Sequence, residues 1–134
     1  MFLKKSSVLY VEDEIETQEL IKEILINSCK EVFIASDGVE GLAIYKEKQP
    51  DIVLSDIVMP NMSGIEMSKK IKELNPKQLI ALFTAYSEPE YKTQATELKI
   101  DAYIMKPFDK KQFFSVLNYL TMALHTDLSI NKEL

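Results

Sequence analysis

The sequence predicts an α/β fold of a single domain: a doubly wound, five-stranded parallel sheet built from five βα units, with helices on both faces. Three observations predict it. The chain has 134 residues, the size of one domain. Five short apolar runs alternate with stretches in which apolar residues recur at helical spacing. The connections between them are short, with no linker, repeat or low-complexity run.

The first unit pairs the run Ser7-Val8-Leu9-Tyr10-Val11 with a helix marked by Ile15, Leu20, Ile21, Ile24 and Leu25. Such a continuous β-branched run is what a strand buried on both faces requires. Residues 31–35 form the second strand. Asp37-Gly38 turns the chain into a helix marked by Val39, Leu42, Ala43 and Tyr45. Pro50 opens a third strand at 51–55, and Met59-Pro60-Asn61-Met62-Ser63-Gly64 reads as a loop. A helix from Ile65 to Leu74 closes at Asn75-Pro76. The fourth strand spans 79–83, and a weaker helix runs from Pro89 to Leu98. The fifth strand spans 101–105. Asp109 caps a last helix expected to end near Leu124, with a polar stretch after it.

Composition narrows the function. Apolar residues make up 46% and charged residues 28%, a globular balance rather than that of a disordered chain. No stretch approaches the roughly 20 apolar residues that cross a bilayer, and no basic-then-apolar leader is present, so neither membrane association nor secretion is expected. The net charge of −5 disfavours direct nucleic-acid binding. All 16 basic residues are lysine, so a phosphate must be met by ammonium groups or backbone N–H donors. The single cysteine, Cys29, reads as an inert packing residue and fits a cytoplasmic location. The single histidine, His125, reads as a surface residue.

In a sheet of this kind, ligands sit beyond the carboxyl ends of the strands. Strand one ends in Glu12-Asp13-Glu14, strand three in Asp56, strand four in Thr84 and strand five in Lys106-Pro107. Singly, these are the residues of helix caps and solvated turns. Together they place three carboxylates, a hydroxyl and an ammonium along one sheet edge. Crowded carboxylates raise one another's pKa values, and a hard divalent cation relieves them. Mg²⁺ is expected, with Mn²⁺ as an alternative. Thr84 and Lys106 can then hold phosphoryl oxygens, which leaves Asp56 as a nucleophile.

Glu12-Asp13, the Asp56-x-x-Met59-Pro60-x-Met62-x-Gly64 loop, Thr84-Ala85 and Lys106-Pro107 closely resemble the receiver domain of bacterial two-component response regulators, of the chemotaxis-regulator kind. The resemblance covers about Ser7 to Leu124 and agrees in order, spacing and strand-end placement. It implies that Asp56 is the phosphoacceptor. It implies that Asp13, Asp56 and the backbone carbonyl of Val58 bind the metal, with Glu12 beside it. Glu12 stands where many receivers carry Asp. Thr84, Ala85 and Lys106 would contact the phosphoryl group, Thr84 and Tyr103 would act as the switch pair, and the Lys106–Pro107 bond would be cis. Val58 and Tyr86 would flank the path of attacking water. Neither orients water well, so a slowly decaying phospho-form is expected.

The same resemblance implies a sensor histidine kinase or histidine phosphotransfer protein as phosphodonor. The output surface would be helix four, strand five and helix five, read by a downstream protein or by a second copy. One stripe of helix five (Phe113, Leu117, Leu120, Leu124) suffices for the core, leaving other apolar residues for such a contact. The expected domain spans 1–125, with 126–134 a tail or the start of a linker. A stand-alone receiver is expected, the alternative being a receiver cut from a longer transcriptional or enzymatic regulator. The architecture is flavodoxin-like, but a flavodoxin-like cofactor protein needs a phosphate-cradling loop where this chain has Glu12-Asp13-Glu14. A dehalogenase-like phosphatase needs an acid where this chain has Val58. The chain is therefore expected to be a phosphoacceptor rather than a turnover enzyme.

Overall fold

The computed structural model describes residues 2–85 and 89–133, with the side chains of 89–92 and 126–133 excepted. A 3-10 turn at Leu3–Lys5 precedes β1 (Ser7–Val11), α1 (Ile15–Ile26), β2 (Glu31–Ala35), α2 (Gly38–Lys48) and β3 (Ile52–Asp56). α3 (Gly64–Leu74), β4 (Leu79–Thr84), α4 (Pro89–Glu97), β5 (Ala102–Met105) and α5 (Lys110–Glu133) follow. All pairings are parallel, in the order β2-β1-β3-β4-β5. The chain therefore reverses its direction of winding between β1 and β3, which lie side by side.

The strand runs are apolar throughout because both faces are covered. Val8, Tyr10, Ile52, Leu54, Ala81, Phe83 and Ile104 face Ile21 and Leu25 of α1 and Phe113, Leu117 and Leu120 of α5. Leu9, Val11, Val53, Ile80 and Leu82 face Tyr45 of α2, Ile65, Met67 and Ile71 of α3 and Ala95 of α4. Side-chain caps set the helix starts: Asp37 accepts from the Glu40 N–H, and Ser63 from the Glu66 N–H. Asp109 accepts from the Lys111 N–H at the start of α5.

Four expectations are corrected. α5 continues to Glu133 rather than stopping near Leu124. No Gly or Pro lies between Leu124 and Glu133, so nothing in the backbone chemistry stops it there. His125 is half-buried, its ring stacked on that of Phe2 at 3.8 Å between centroids, because the N-terminal turn packs against α5. Leu124 is only half-buried, so among the described residues of α5 the fully buried apolar stripe is Phe113, Leu117 and Leu120. Asp56 and Thr84 are the last residues of their strands rather than the first beyond them, a one-residue difference from the expected bounds.

Candidate functional site

Strand register brings the predicted residues to one edge. Val11 pairs with Ser55, so Glu12 leaves β1 beside Asp56 at the end of β3. Asp56 pairs with Phe83, and Thr84 pairs with Met105, so Thr84 and then Lys106 follow along the same edge. Side-chain alternation puts Glu12 on the face of Tyr10, and Asp56 on the face of Leu54, both towards α1 and α5. One carboxylate oxygen from each of Glu12, Asp13 and Asp56 lies within 4.8 Å of the others. Glu12 and Asp56 are buried, at 3% and 7% exposure, whereas Asp13 faces solvent.

Asp56 is held firmly. The Lys106 ammonium donates to Oδ1 at 2.8 Å and to Oδ2 at 2.9 Å. The Ile57 N–H adds a bond to Oδ1 at 2.8 Å. From behind, the Ser55 hydroxyl donates to the Asp56 carbonyl at 2.7 Å. A Cβ on Gly64 would come within 2.0 Å of that carbonyl oxygen, so the start of α3 must be glycine for the loop to close. The Lys106 N–H donates to the Thr84 carbonyl at 2.8 Å, which ties the ends of β4 and β5 together. The Lys106–Pro107 bond is cis, as expected.

Glu12 accepts from the Tyr10 hydroxyl at 3.3 Å and from the Glu14 N–H at 3.2 Å. Burial pushes its pKa up to about 7, and the nearby Asp56 charge adds to the rise. Burial, with Glu12 next, also raises the Tyr10 phenol, which keeps it a neutral donor. With all three carboxylates ionised, one ammonium leaves the cluster with an excess of negative charge. Oxygen donors of this density, partly open to water through Asp13, suit a hard divalent cation such as Mg²⁺.

The remaining predicted residues are placed less tightly. Thr84 is buried, and its hydroxyl reaches the Ala85 carbonyl only at 3.5 Å, so it is weakly engaged. Val58 is 54% exposed on the loop after Asp56. Tyr103 is partly buried against the core on the α2, α3 and α4 face, and its buried hydroxyl has no hydrogen-bond partner among the described residues. Tyr86 lies outside the described residues. Tyr10 and Gln18 were not anticipated. Tyr10 sits two residues before Glu12, so the two-residue strand period already put both on one face. Gln18 donates from α1 to the Glu12 carbonyl at 2.7 Å, a contact one helical turn into α1 that no motif marks.

A family model described as the response regulator receiver domain matches residues 8–118. This chain belongs to the response regulator receiver domain family. The receiver is 36% identical over 116 residues to the chemotaxis protein CheY of Halobacterium salinarum, covering 87% of this chain and 97% of that protein. It is 37% identical over 93 residues to the sensory transduction protein LytT of Oceanobacillus iheyensis, covering 69% of this chain but only 37% of that protein. Among solved structures it superposes on a CheY-like response regulator receiver domain protein from Methanospirillum hungatei with a TM-score of 0.86 and 28% identity, over 92% of this chain and 98% of that one. The receiver family is a family of signalling domains that bind Mg²⁺ through acidic residues, and this chain brings Glu12, Asp13 and Asp56 together in one acidic cluster. Among the described residues, no helix is long and apolar enough to cross a membrane.

Proposed function

We propose that the receiver accepts a phosphoryl group on Asp56 in a Mg²⁺-dependent reaction and signals through the surface of α4, β5 and α5. The observation that carries this reading is the doubly bonded Lys106–Asp56 pair beside two further carboxylates. Asp13, Asp56 and the Val58 carbonyl would hold the ion, with Glu12 next to it; Mn²⁺ is the alternative. When bound, the ion neutralises carboxylate and phosphoryl charge.

The donor is a phosphohistidine of a sensor kinase or phosphotransfer protein. A carboxylate oxygen of Asp56 attacks phosphorus as the bond to the histidine nitrogen breaks, and the imidazole leaves with its electron pair. The Ile57 N–H and the Lys106 ammonium orient the attacking carboxylate. Once Asp56 is phosphorylated, the negative charge lies on the phosphoryl oxygens, and the Lys106 ammonium moves with it onto one of them. Ala85 supplies a backbone N–H and Thr84 its hydroxyl to the other oxygens. As Thr84 is drawn in, Tyr103 repacks. A ligand shifts such an equilibrium only by binding one state better, and the weakly bonded Thr84 hydroxyl has that preference to give.

The receiver is taken to span residues 1–125, with 126–134 a tail or the start of a linker within the extended α5. The chain spans nearly all of CheY from Halobacterium salinarum but a little over a third of LytT, so both a stand-alone receiver and a part of a longer regulator fit. The stand-alone reading is preferred, in the cytoplasm, with output to a downstream protein or a second copy and no direct contact with nucleic acid. Tyr119 and Met122, exposed on α5, fit that contact. The test is incubation with acetyl phosphate and Mg²⁺ followed by intact mass measurement. A gain of about 80 Da, one phosphoryl group, is expected for the native chain. Asp56→Asn should show none, and a gain that survives this substitution would contradict the reading.

A further inference from the structure

Asp37 and Asn61 lie outside the acidic pocket, yet they join two of the segments around it. The loop after β3 leaves the sheet at Asp56 and enters α3 at Gly64, and the Gly64 N–H closes its base on the Ile57 carbonyl at 2.8 Å. Its outer limb is tied sideways to the start of α2. The Gly38 N–H donates to the Met62 carbonyl at 3.1 Å, and Asn61 Nδ2 donates to Asp37 Oδ2 at 2.7 Å. The approach is close: a Cβ on Gly38 would fall 2.5 Å from the Met62 oxygen.

Asp37 is itself immobilised, because its other oxygen caps α2 by accepting from the Glu40 N–H at 2.8 Å. Those two contacts hold its carboxyl below the usual range, the cap bond first and Asn61 next. Asn61 sits at φ 67°, in the left-handed region that asparagine tolerates. Only Met59, nearly buried, and Pro60, whose ring fixes φ, separate Asn61 from Val58. A stiff link therefore connects the Asp37–Asn61 bond to the Val58 carbonyl.

We propose that Asp37 and Asn61 are positioning residues: their bond clamps the loop after β3 to α2 and sets the Val58 carbonyl where the metal needs it. This rests on the reading of Val58, Asp13 and Asp56 as metal ligands. The bond is solvent-exposed, so it contributes little to global stability. Its value lies in geometry, because Mg²⁺ demands near-ideal octahedral ligands whereas Ca²⁺ tolerates displaced ones. Loosening the clamp weakens Mg²⁺ more than Ca²⁺.

The test is calorimetric titration of the full chain with Mg²⁺ and with Ca²⁺, together with thermal unfolding without metal. Asn61→Gly keeps the left-handed backbone at no cost and removes only the side chain. Its Mg²⁺ affinity should fall about fivefold, the size of one screened hydrogen bond, with a smaller loss for Ca²⁺ and little change in melting temperature. Asn61→Asp sets two carboxylates face to face and should weaken Mg²⁺ further. The exchange Asp37→Asn with Asn61→Asp rebuilds cap and clamp with reversed polarity and should restore it. Asn61→Gly binding Mg²⁺ as tightly as the native chain overturns the clamp alone, as does an exchange variant that fails to recover. A native chain that binds no Mg²⁺ overturns the ligand reading and the clamp with it.

Discussion

Lys106 spans both carboxylate oxygens of Asp56, at 2.8 and 2.9 Å, although 50 residues separate them in the chain. The pair joins the ends of β3 and β5 across the end of β4, and it sets an ammonium against a buried carboxylate that lies beside two others. On the proposed reading of Asp56 as phosphoacceptor, this contact fixes the position of the carboxylate before any phosphodonor arrives, as an in-line displacement needs.

Glu12 makes the fold sensitive to pH. Burial raises its folded pKa to about 7 from the ordinary 4.5, so the folded state binds the proton more tightly than the unfolded state. Stability from this group is full below the lower value and is lost as pH rises through the upper one. Urea unfolding without metal should therefore show the native chain losing on the order of 1–2 kcal/mol between pH 5 and pH 8 relative to Glu12→Gln. Equal pH dependence of the two would contradict this. Saturating Mg²⁺ should remove much of the difference.

Gly64 is required by space, not by backbone conformation, since no glycine among the described residues has a positive φ. Gly64→Ala would drive a Cβ against the Asp56 carbonyl. Chemical denaturation should show a loss of at least about 2 kcal/mol, and the variant should accept phosphoryl from acetyl phosphate more slowly. A fully stable, fully reactive variant would show that the loop can move aside.

Tyr103 buries a hydroxyl that no described residue satisfies. Removing an unpaired buried polar group relieves its desolvation cost. Tyr103→Phe should therefore stabilise the unphosphorylated chain by about 0.5–1 kcal/mol in urea melts. A loss of stability would mean that the hydroxyl has a partner in solution.

Val58 offers neither an amide nor an acid to orient attacking water beside Asp56, and Tyr86 adds bulk from the sequence position two after Thr84. The phospho-form should decay slowly. The double variant Val58→Asn, Tyr86→Glu should shorten its half-life by about tenfold or more, as general acid–base and positioning effects allow. A half-life unchanged or lengthened in that variant would contradict this.

The strands could be read because a sheet covered on both faces demands unbroken apolar runs, and Val8–Val11 or Ile52–Leu54 satisfy that demand locally. Five chemistry-bearing residues could be placed because each follows such a run. Strand order was not readable: it arises from which strand ends β1 accepts, and neither β2 nor β3 carries a local mark of its neighbour. The end of α5 escaped because no breaker follows Leu124 and the polar composition looked like a tail. The support from Gln18 escaped because no motif marks it, although it lies six residues from Glu12, and the Asp37–Asn61 bond escaped because it joins common polar residues 24 positions apart.

The most direct measurement is the location of the phosphoryl group. The chain is to be treated with acetyl phosphate with and without Mg²⁺, reduced with borohydride, and mapped by peptide mass spectrometry. Borohydride converts an aspartyl phosphate to homoserine and leaves free aspartate unchanged. Conversion at Asp56 alone, and only with Mg²⁺ present, is the expected result. Conversion elsewhere, conversion independent of the metal, or no conversion at all would contradict a metal-dependent phosphoacceptor built on Asp56.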